Sequence, residues 1–257
     1  MADIIDLSKY NTVTDWSQVA KYVSGVIVRV GYRGYVNGKV TEDLKARLHC
    51  SAVKNCGLPL GLYFMSQAIT EKEAIEEADF AIAFAKEYGI MLPIFIDSED
   101  GDGTDRVVRA DGLSKDARTK ITIAFCERVK SAGFEPGVYA STSWFVNRLD
   151  ANQLLKYKLW VAQYASSCTA KFRVDGWQYT SSGSVPGIAG RVDMTHPYNF
   201  TAKAPNPYPA PKRILRRTTP MMTGEDVKWL QYELGLDLVD GKFGDGTNAA
   251  YKKYLGF

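Results

Sequence analysis

Short apolar runs alternate with amphipathic helical stretches along the first 200 residues, and this alternation constrains the fold more than any other feature of the sequence. Eight runs rich in Val, Ile, Leu, Phe and Tyr are predicted to be β-strands. These runs are 3–7, 25–30, 60–64, 92–97, 137–140, 159–163, 176–179 and 191–194. Repeated strand-helix-strand alternation is typical of the α/β class, in which the strands pair in parallel.

The helical stretches carry sequence signals of their own. Apolar side chains recur at helical spacing over 71–88, and Thr70 with Glu73 forms a capping-box pattern at the start of that stretch. A second helix is predicted over 42–55, and a third across 114–133.

The number of strands favours a closed barrel. Seven or eight strands within about 200 residues fit a (β/α) barrel of the TIM type. The last three strands have little helix between them, so we expect an irregular barrel rather than eight full strand-helix units. An open, doubly wound sheet is the alternative.

The remainder of the chain differs in composition. Residues 201–212 contain four prolines, which indicates a semi-rigid linker over 201–213. Residues 214–257 are predicted to form a small all-helical module, with one helix near 224–234. The predicted domain organisation is therefore a barrel over 1–200, the linker, and the module.

Charge and composition exclude several classes of function. The net charge of +3 is too small to indicate a nucleic-acid partner, and no apolar run reaches the roughly 18 residues of a membrane span. The four cysteines form no C-x-x-C pair and there are only two histidines. We therefore expect free thiols, no metal and no cofactor.

Polar side chains stand at the ends of most predicted strands. In a (β/α) barrel the carboxyl ends of the strands surround the active site. Four carboxylates and several aromatic and amide side chains should therefore face one crevice. They are Asp6, Tyr63, Asp97, Glu99, Tyr139, Trp160, Gln163, Tyr164, Gln178 and Asp193.

The most specific feature is an apolar strand that runs directly into Asp97-Ser98-Glu99. Strand residues two apart point the same way, so Asp97 and Glu99 should stand side by side. Two carboxylates so close together repel each other, which raises the pKa of one of them. That carboxyl group can then protonate a glycosidic oxygen. Two neighbouring carboxylates do not easily reach both faces of a sugar ring, whereas a substrate N-acetyl group can supply its own nucleophile.

This pattern predicts a substrate-assisted glycosidase. Glu99 is the expected acid/base, and Asp97 orients or stabilises the N-acetyl group. Asp6 and Asp193 tune the pKa of the acid and hold the geometry. The alternative is a metal-dependent phosphodiesterase on a similar barrel, with Asp97 and Glu99 as ligands.

The first 200 residues resemble the glycoside hydrolase family 25 lysozymes in the order and spacing of seven segments. These segments are Ile5-Asp6-Leu7-Ser8, Gly61-Leu62-Tyr63-Phe64, Pro93-Ile94-Phe95-Ile96-Asp97-Ser98-Glu99, Gly137-Val138-Tyr139, Leu159-Trp160-Val161-Ala162-Gln163-Tyr164, Trp177-Gln178-Tyr179 and Val192-Asp193.

The resemblance implies hydrolysis of the β-1,4 bond between N-acetylmuramic acid and N-acetylglucosamine in bacterial peptidoglycan, by a monomeric catalytic domain. Glu99 corresponds to the family's proton donor, and Asp97, Asp6 and Asp193 to its other site carboxylates. Its groove would be lined by Tyr63, Tyr139, Trp160 and Gln178, and we add Tyr164 from its place beside a strand end. A non-catalytic wall-binding protein is a further alternative.

The tail resembles a three-helix peptidoglycan-binding domain, through 224–234 followed by Asp240-Gly241-Lys242-Phe243-Gly244. The chain stops at Phe257, sooner than such domains usually end. The N-terminus carries no secretory signal pattern. Together these features resemble a phage endolysin, which would accumulate in the host cytoplasm and then reach the wall. An exported, extracellular autolysin is the alternative.

Overall fold

The computed structural model describes residues 2–99, 108–200 and 208–255. They fall into two compact units, one within 1–203 and the other within 204–257. Of the predicted linker, residues 201–207 lie outside the described part of the chain.

The first unit is built from strands that alternate with helices. Its strands are β1 (Ile4–Leu7), β2 (Thr12–Val13), β3 (Gly25–Arg33), β4 (Val40–Glu42), β5 (Leu60–Met65), β6 (Ile94–Asp97), β7 (Pro136–Ser141), β8 (Lys158–Ala162), β9 (Gly176–Gly183), β10 (Ile188–Ala189) and β11 (Val192–Pro197). Its helices are α1 (Trp16–Tyr22), α2 (Ala46–Asn55), α3 (Glu71–Tyr88), α4 (Lys115–Ser131), α5 (Thr142–Asn147) and α6 (Ala151–Leu154). Each of the eight predicted strands overlaps one of these strands.

Eight strands close into a barrel in the order β1-β11-β9-β8-β7-β6-β5-β3, and β3 pairs back onto β1. Neighbours are parallel except at β11, which runs antiparallel to both β9 and β1. In the described residues no helix lies between β8 and β11. The prediction of an irregular α/β barrel is therefore confirmed, and the open sheet is excluded.

The longest helix begins and ends as its sequence predicts. The Thr70 hydroxyl accepts a hydrogen bond from the Glu73 backbone N–H at 3.2 Å, and the Glu73 carboxylate accepts one from Ile69 at 2.8 Å. At the other end Gly89 adopts φ of 71°, a left-handed conformation that glycine reaches without strain.

The helix predicted over 42–55 begins later than expected. Residues Val40–Glu42 form β4, which pairs with the end of β3. The Asp43 carboxylate then accepts hydrogen bonds from the Lys45 backbone at 2.9 Å and from Arg29 Nε at 2.8 Å. These contacts hold the chain in a turn, so α2 starts only at Ala46.

Aromatic side chains fill the inside of the barrel below its mouth. Phe95, Trp160 and Phe200 belong to one inner cluster of buried residues. Gly137 and Gly176 face this cluster, and a Cβ on either glycine would collide with Phe95 or Phe200. Because the interior is packed, a substrate has access only to the polar layer at the strand ends.

The second unit has its own small core of Leu215, Val227, Leu230 and Phe243. Its two described helices are α7 (Glu225–Glu233) and α8 (Asp245–Leu255). Gln231 lies buried between them and accepts a hydrogen bond from the Gly241 backbone at 2.8 Å. In neither unit is any described helix both long and apolar enough to cross a membrane.

Candidate active site

One pocket at the mouth of the barrel collects the side chains that the sequence singled out. Its volume is about 170 Å³, below the roughly 300–1,000 Å³ of a site that encloses a whole drug-sized ligand. It therefore suits one part of a larger substrate. The lining residues are Asp6, Tyr63, Asp97, Glu99, Tyr139, Trp160, Tyr164, Gln178 and Asp193.

All the predicted site residues but one belong to this set. The exception is Gln163, whose side chain is engaged away from the pocket. Its amide nitrogen donates to the Thr169 hydroxyl at 2.8 Å, and its amide oxygen accepts from the Thr169 backbone at 2.9 Å.

The end of β6 places Asp97 and Glu99 at the pocket. Ile96 belongs to the core outside the barrel, whereas Phe95 faces the inner cluster, so the alternation of the strand turns Asp97 inward. The backbone of Asp97 is fixed because its carbonyl accepts a hydrogen bond from Ser66 at 3.0 Å. Glu99 follows two residues later and is half-buried, so it is the more accessible of the two carboxylates.

The carboxyl group of Asp97 is buried, and one of its two oxygens has no donor among the described residues. It is 3% exposed, and its Oδ1 has no hydrogen-bond partner among the described residues. Burial raises the pKa of Asp97 well above its ordinary value, the charges of Glu99 and Asp6 raise it further, and Arg29 opposes the shift. The carboxyl group is therefore placed to accept a hydrogen bond from a bound molecule, and such a bond would favour its charged form.

Gln178 connects Asp6 to the tyrosines of the pocket. Its amide nitrogen donates to Asp6 Oδ2 at 2.9 Å. Its amide oxygen accepts from the hydroxyls of Tyr139 at 2.9 Å and Tyr164 at 3.1 Å. Burial, followed by the charge of Asp193, raises the pKa of Asp6 well above its ordinary value, and the bond from Gln178 opposes that shift.

Asp193 and Tyr164 line the pocket from β11 and from the segment after β8. Burial raises the pKa of Asp193. Burial also raises the pKa of Tyr164 to about 12, and the charge of Asp193 adds to this effect. Because 59% of Tyr164 is exposed, its ring offers a surface to a substrate while its hydroxyl stays bonded to Gln178.

Trp160 forms the floor of the pocket. Its ring packs edge-on against Tyr139 at a centroid distance of 4.6 Å and against Tyr63 at 6.2 Å. Its indole N–H donates to Thr195 Oγ1 at 3.0 Å. The bond to Thr195, on β11, fixes the tilt of the ring and hence the shape of the floor.

Arg29, the buried cation of this region, was not among the site residues predicted from the sequence. Its Nη2 lies 2.8 Å from Asp43 Oδ2, and its charge acts on Asp97 and Asp6. The available signal was a single charged residue inside the apolar run Val26-Ile27-Val28-Arg29-Val30. A charge in such a run requires a buried partner, which predicts a polar site on the inner face of the strand.

The metal-ligand alternative depends on the arrangement of the described acidic, histidine and cysteine side chains. Across the described ranges no group of three or more His, Cys, Asp or Glu side chains is arranged to hold a metal ion. The alternative in which Asp97 and Glu99 act as metal ligands gains no support from this geometry. The arrangement instead suits proton transfer and hydrogen bonding.

Comparison with known proteins gives a family match over most of the barrel. Residues 5–188 match the model of glycosyl hydrolases family 25. A lysozyme of Lactococcus phage mv1 is 33% identical over 125 residues, which make up 45% of this chain and 59% of that protein. An autolytic lysozyme of Clostridium acetobutylicum is 27% identical over 241 residues, 88% of this chain and 65% of that protein. The chain thus spans less than two thirds of each of these relatives.

Solved structures are similar over about three quarters of this chain. The modular autolysin LytC from Streptococcus pneumoniae superposes with a TM-score of 0.65 at 32% identity, covering 76% of this chain and 46% of that one. The catalytic domain of an endolysin from a Listeria monocytogenes bacteriophage gives a TM-score of 0.61 at 25% identity, covering 76% and 92%.

Proposed function

This chain belongs to glycosyl hydrolases family 25, and on that premise we propose that it is a lysozyme acting on bacterial peptidoglycan. The bond cleaved is the β-1,4 bond between N-acetylmuramic acid and N-acetylglucosamine. The observation that carries this proposal is the pair Asp97 and Glu99, which line one pocket from the last residue of β6 and from two residues beyond it.

Glu99 is the general acid in this proposal, and Asp97 positions the substrate. The unpartnered Oδ1 of Asp97 accepts a hydrogen bond from the N–H of the substrate acetamido group. That bond favours ionised Asp97, as does the charge of Arg29. With Asp97 ionised, a second negative charge beside it is disfavoured, so we assign the proton of the pair to Glu99.

The chemistry follows in two steps. Glu99 gives its proton to the glycosidic oxygen as the bond from that oxygen to C1 breaks, and the acetamido carbonyl oxygen closes onto C1. The positive charge of the cyclic intermediate is balanced by ionised Asp97. Glu99, now ionised, takes a proton from a water molecule that attacks C1, and the acetamido group is released.

The other lining residues hold these groups in place. Asp6 is kept in position by Gln178, and Asp193 adds a second negative charge beside it. In this proposal both carboxyl groups tune the pKa of the acid and hold the geometry of the site. The rings of Tyr63, Tyr139 and Tyr164 supply the walls of the pocket, and Trp160 supplies its floor. Gln178 fixes the hydroxyl groups of Tyr139 and Tyr164.

We assign wall binding to the second unit. Its sequence over 224–244 supports this assignment, as does a hydrophobic core separate from that of the barrel. A binding module tethered to a catalytic domain raises the effective concentration of the enzyme at an insoluble substrate.

Mass spectrometry of a peptidoglycan digest tests the bond assignment. The full chain should release fragments with N-acetylmuramic acid at the new reducing end. Reducing ends of N-acetylglucosamine would mean that the other glycosidic bond is cut, and intact glycan strands would contradict a glycosidase altogether.

A further inference from the structure

A partly exposed group of one cation and two aromatic rings lies on the rim of the barrel beside the ends of β1 and β3. Lys9 Nζ lies 5.1 Å from the ring centroid of Tyr10 and 5.3 Å from that of Tyr32. Lys9 is half-buried and Tyr10 is 76% exposed. We call Lys9, Tyr10 and Tyr32 the rim cluster.

The two tyrosine rings of the rim cluster also lie against Arg29. The Arg29 guanidinium carbon lies 5.3 Å from the Tyr10 centroid and 5.9 Å from the Tyr32 centroid. The backbone N–H of Lys9 donates to Asp43 Oδ2 at 3.1 Å, and the same oxygen accepts from Arg29. The cluster therefore covers the buried cation that acts on Asp97.

The rim cluster is also close to the pocket along the chain. Lys9 follows the pocket residue Asp6 by three positions, so their Cα atoms are separated by at most about 11 Å.

The positive charge of Lys9 has no carboxylate partner in the part of the chain that the structure describes. No ion pair to its ammonium group exists within the described ranges, although four carboxylates line the nearby pocket. An anionic substituent on a substrate would be repelled by those carboxylates and attracted by Lys9. The exposed face of the Tyr10 ring adds an apolar surface beside the cation.

We propose that the rim cluster is a subsite for a carboxylate of the stem peptide that extends from N-acetylmuramic acid. This inference rests on the proposed function, because it concerns a substituent of the same substrate. It makes the enzyme selective for glycan strands that still carry peptides over bare glycan.

The test compares kcat/KM of the full chain on peptide-bearing glycan strands and on the same strands after enzymatic removal of the peptides. Wild-type protein should prefer the peptide-bearing strands. Lys9→Gln should lower the ratio of the two values by about threefold to tenfold, and Lys9→Glu by more. A matched control, Lys54→Glu, lies at the end of α2 that leads into the start of β5, at the opposite end of the barrel, and should keep the wild-type ratio.

Several outcomes would overturn the subsite. In the first, the wild type cleaves both substrates, and both Lys9 variants keep the wild-type ratio of kcat/KM on peptide-bearing to peptide-free strands. This result would contradict the subsite but not the lysozyme proposal. Failure of the wild type on both substrates would remove the proposed function and the subsite together. A Lys9 effect that disappears from walls stripped of phosphate polymers would assign the anion to phosphate instead, whereas an effect that persists there supports the peptide carboxylate.

Discussion

The environment of the Asp97 side chain destabilises the folded protein, although it suits Asp97 for a role in catalysis. The side chain is buried, one of its oxygens has no partner in the described structure, and Asp6 and Glu99 add negative charge nearby. Only Arg29 opposes these effects, and Arg29 is itself held by Asp43. The pocket is thus an arrangement that folding alone would not favour.

Replacing Asp97 by Asn should therefore stabilise the protein at neutral pH while it abolishes most activity. The raised pKa means that the folded state binds its proton more tightly than the unfolded state does, so stability falls as pH rises from about 4, the unfolded value, towards the folded value. Asp97→Asn removes this loss and should raise the free energy of unfolding by roughly 1–3 kcal/mol at pH 7.

Urea denaturation at a series of pH values measures the effect. The difference between Asp97→Asn and wild type should shrink as pH falls towards 4 and vanish below it. Asp116→Asn, on the exposed face of α4, serves as the control and should leave the pH dependence as in the wild type. A difference that is constant with pH would show that burial of the charge is not its cause.

At the scale of secondary structure, β11 completes the site as well as the barrel. It runs antiparallel between β9 and β1, carries Asp193 at the pocket, and carries Thr195 beneath Trp160. Thr195 is fully buried, so its hydroxyl is the acceptor that satisfies the Trp160 indole N–H inside the barrel.

Thr195→Val should destabilise the protein by about 1–3 kcal/mol, because a buried donor loses its acceptor while the volume of the side chain stays similar. It should also loosen the floor of the pocket and raise KM. Thr195→Ser keeps the acceptor and is expected to stay closer to the wild type in KM. Chemical denaturation and kinetics on soluble glycan fragments measure both quantities, and equal effects of the two variants on KM would rule out the hydrogen bond as the reason.

The strands of the barrel could be predicted from the sequence, whereas one important residue of the site could not. Eight barrel strands were predictable because each is a compact apolar run, and the side-chain alternation of β6 placed Asp97 correctly. The short strands β2, β4 and β10 were missed, since two or three residues carry no periodic signal. The predicted set of site residues did not include Arg29. The position of the Arg29 guanidinium depends on Asp43, which lies fourteen residues away in the sequence and becomes adjacent only in the folded chain.

For the whole molecule, two separate cores imply two units that can be tested apart. The barrel and the second unit each bury their own apolar residues, and the second is small. If the second unit binds the wall, a chain ending at residue 203 should keep its rate on soluble glycan fragments. On intact walls at low enzyme concentration it should lose roughly tenfold or more, because the tether no longer concentrates it there.

The full chain and the chain that ends at residue 203 are compared in two assays. One measures the clearance of turbidity from purified walls, and the other measures the release of reducing ends from soluble fragments. A shortened chain that clears walls as fast as the full chain would show that the second unit does not contribute to binding under those conditions. Equal losses on both substrates would instead indicate that the barrel needs the second unit to fold.

The most direct test of the account concerns Glu99. We predict that Glu99→Gln, in the full chain, lowers the release of reducing ends from purified peptidoglycan by about 10²–10⁴-fold, the usual contribution of a general acid. Its unfolding midpoint should remain close to that of the wild type. Release within a few-fold of the wild-type rate, by a variant that is folded, would contradict the assignment of Glu99 as the proton donor.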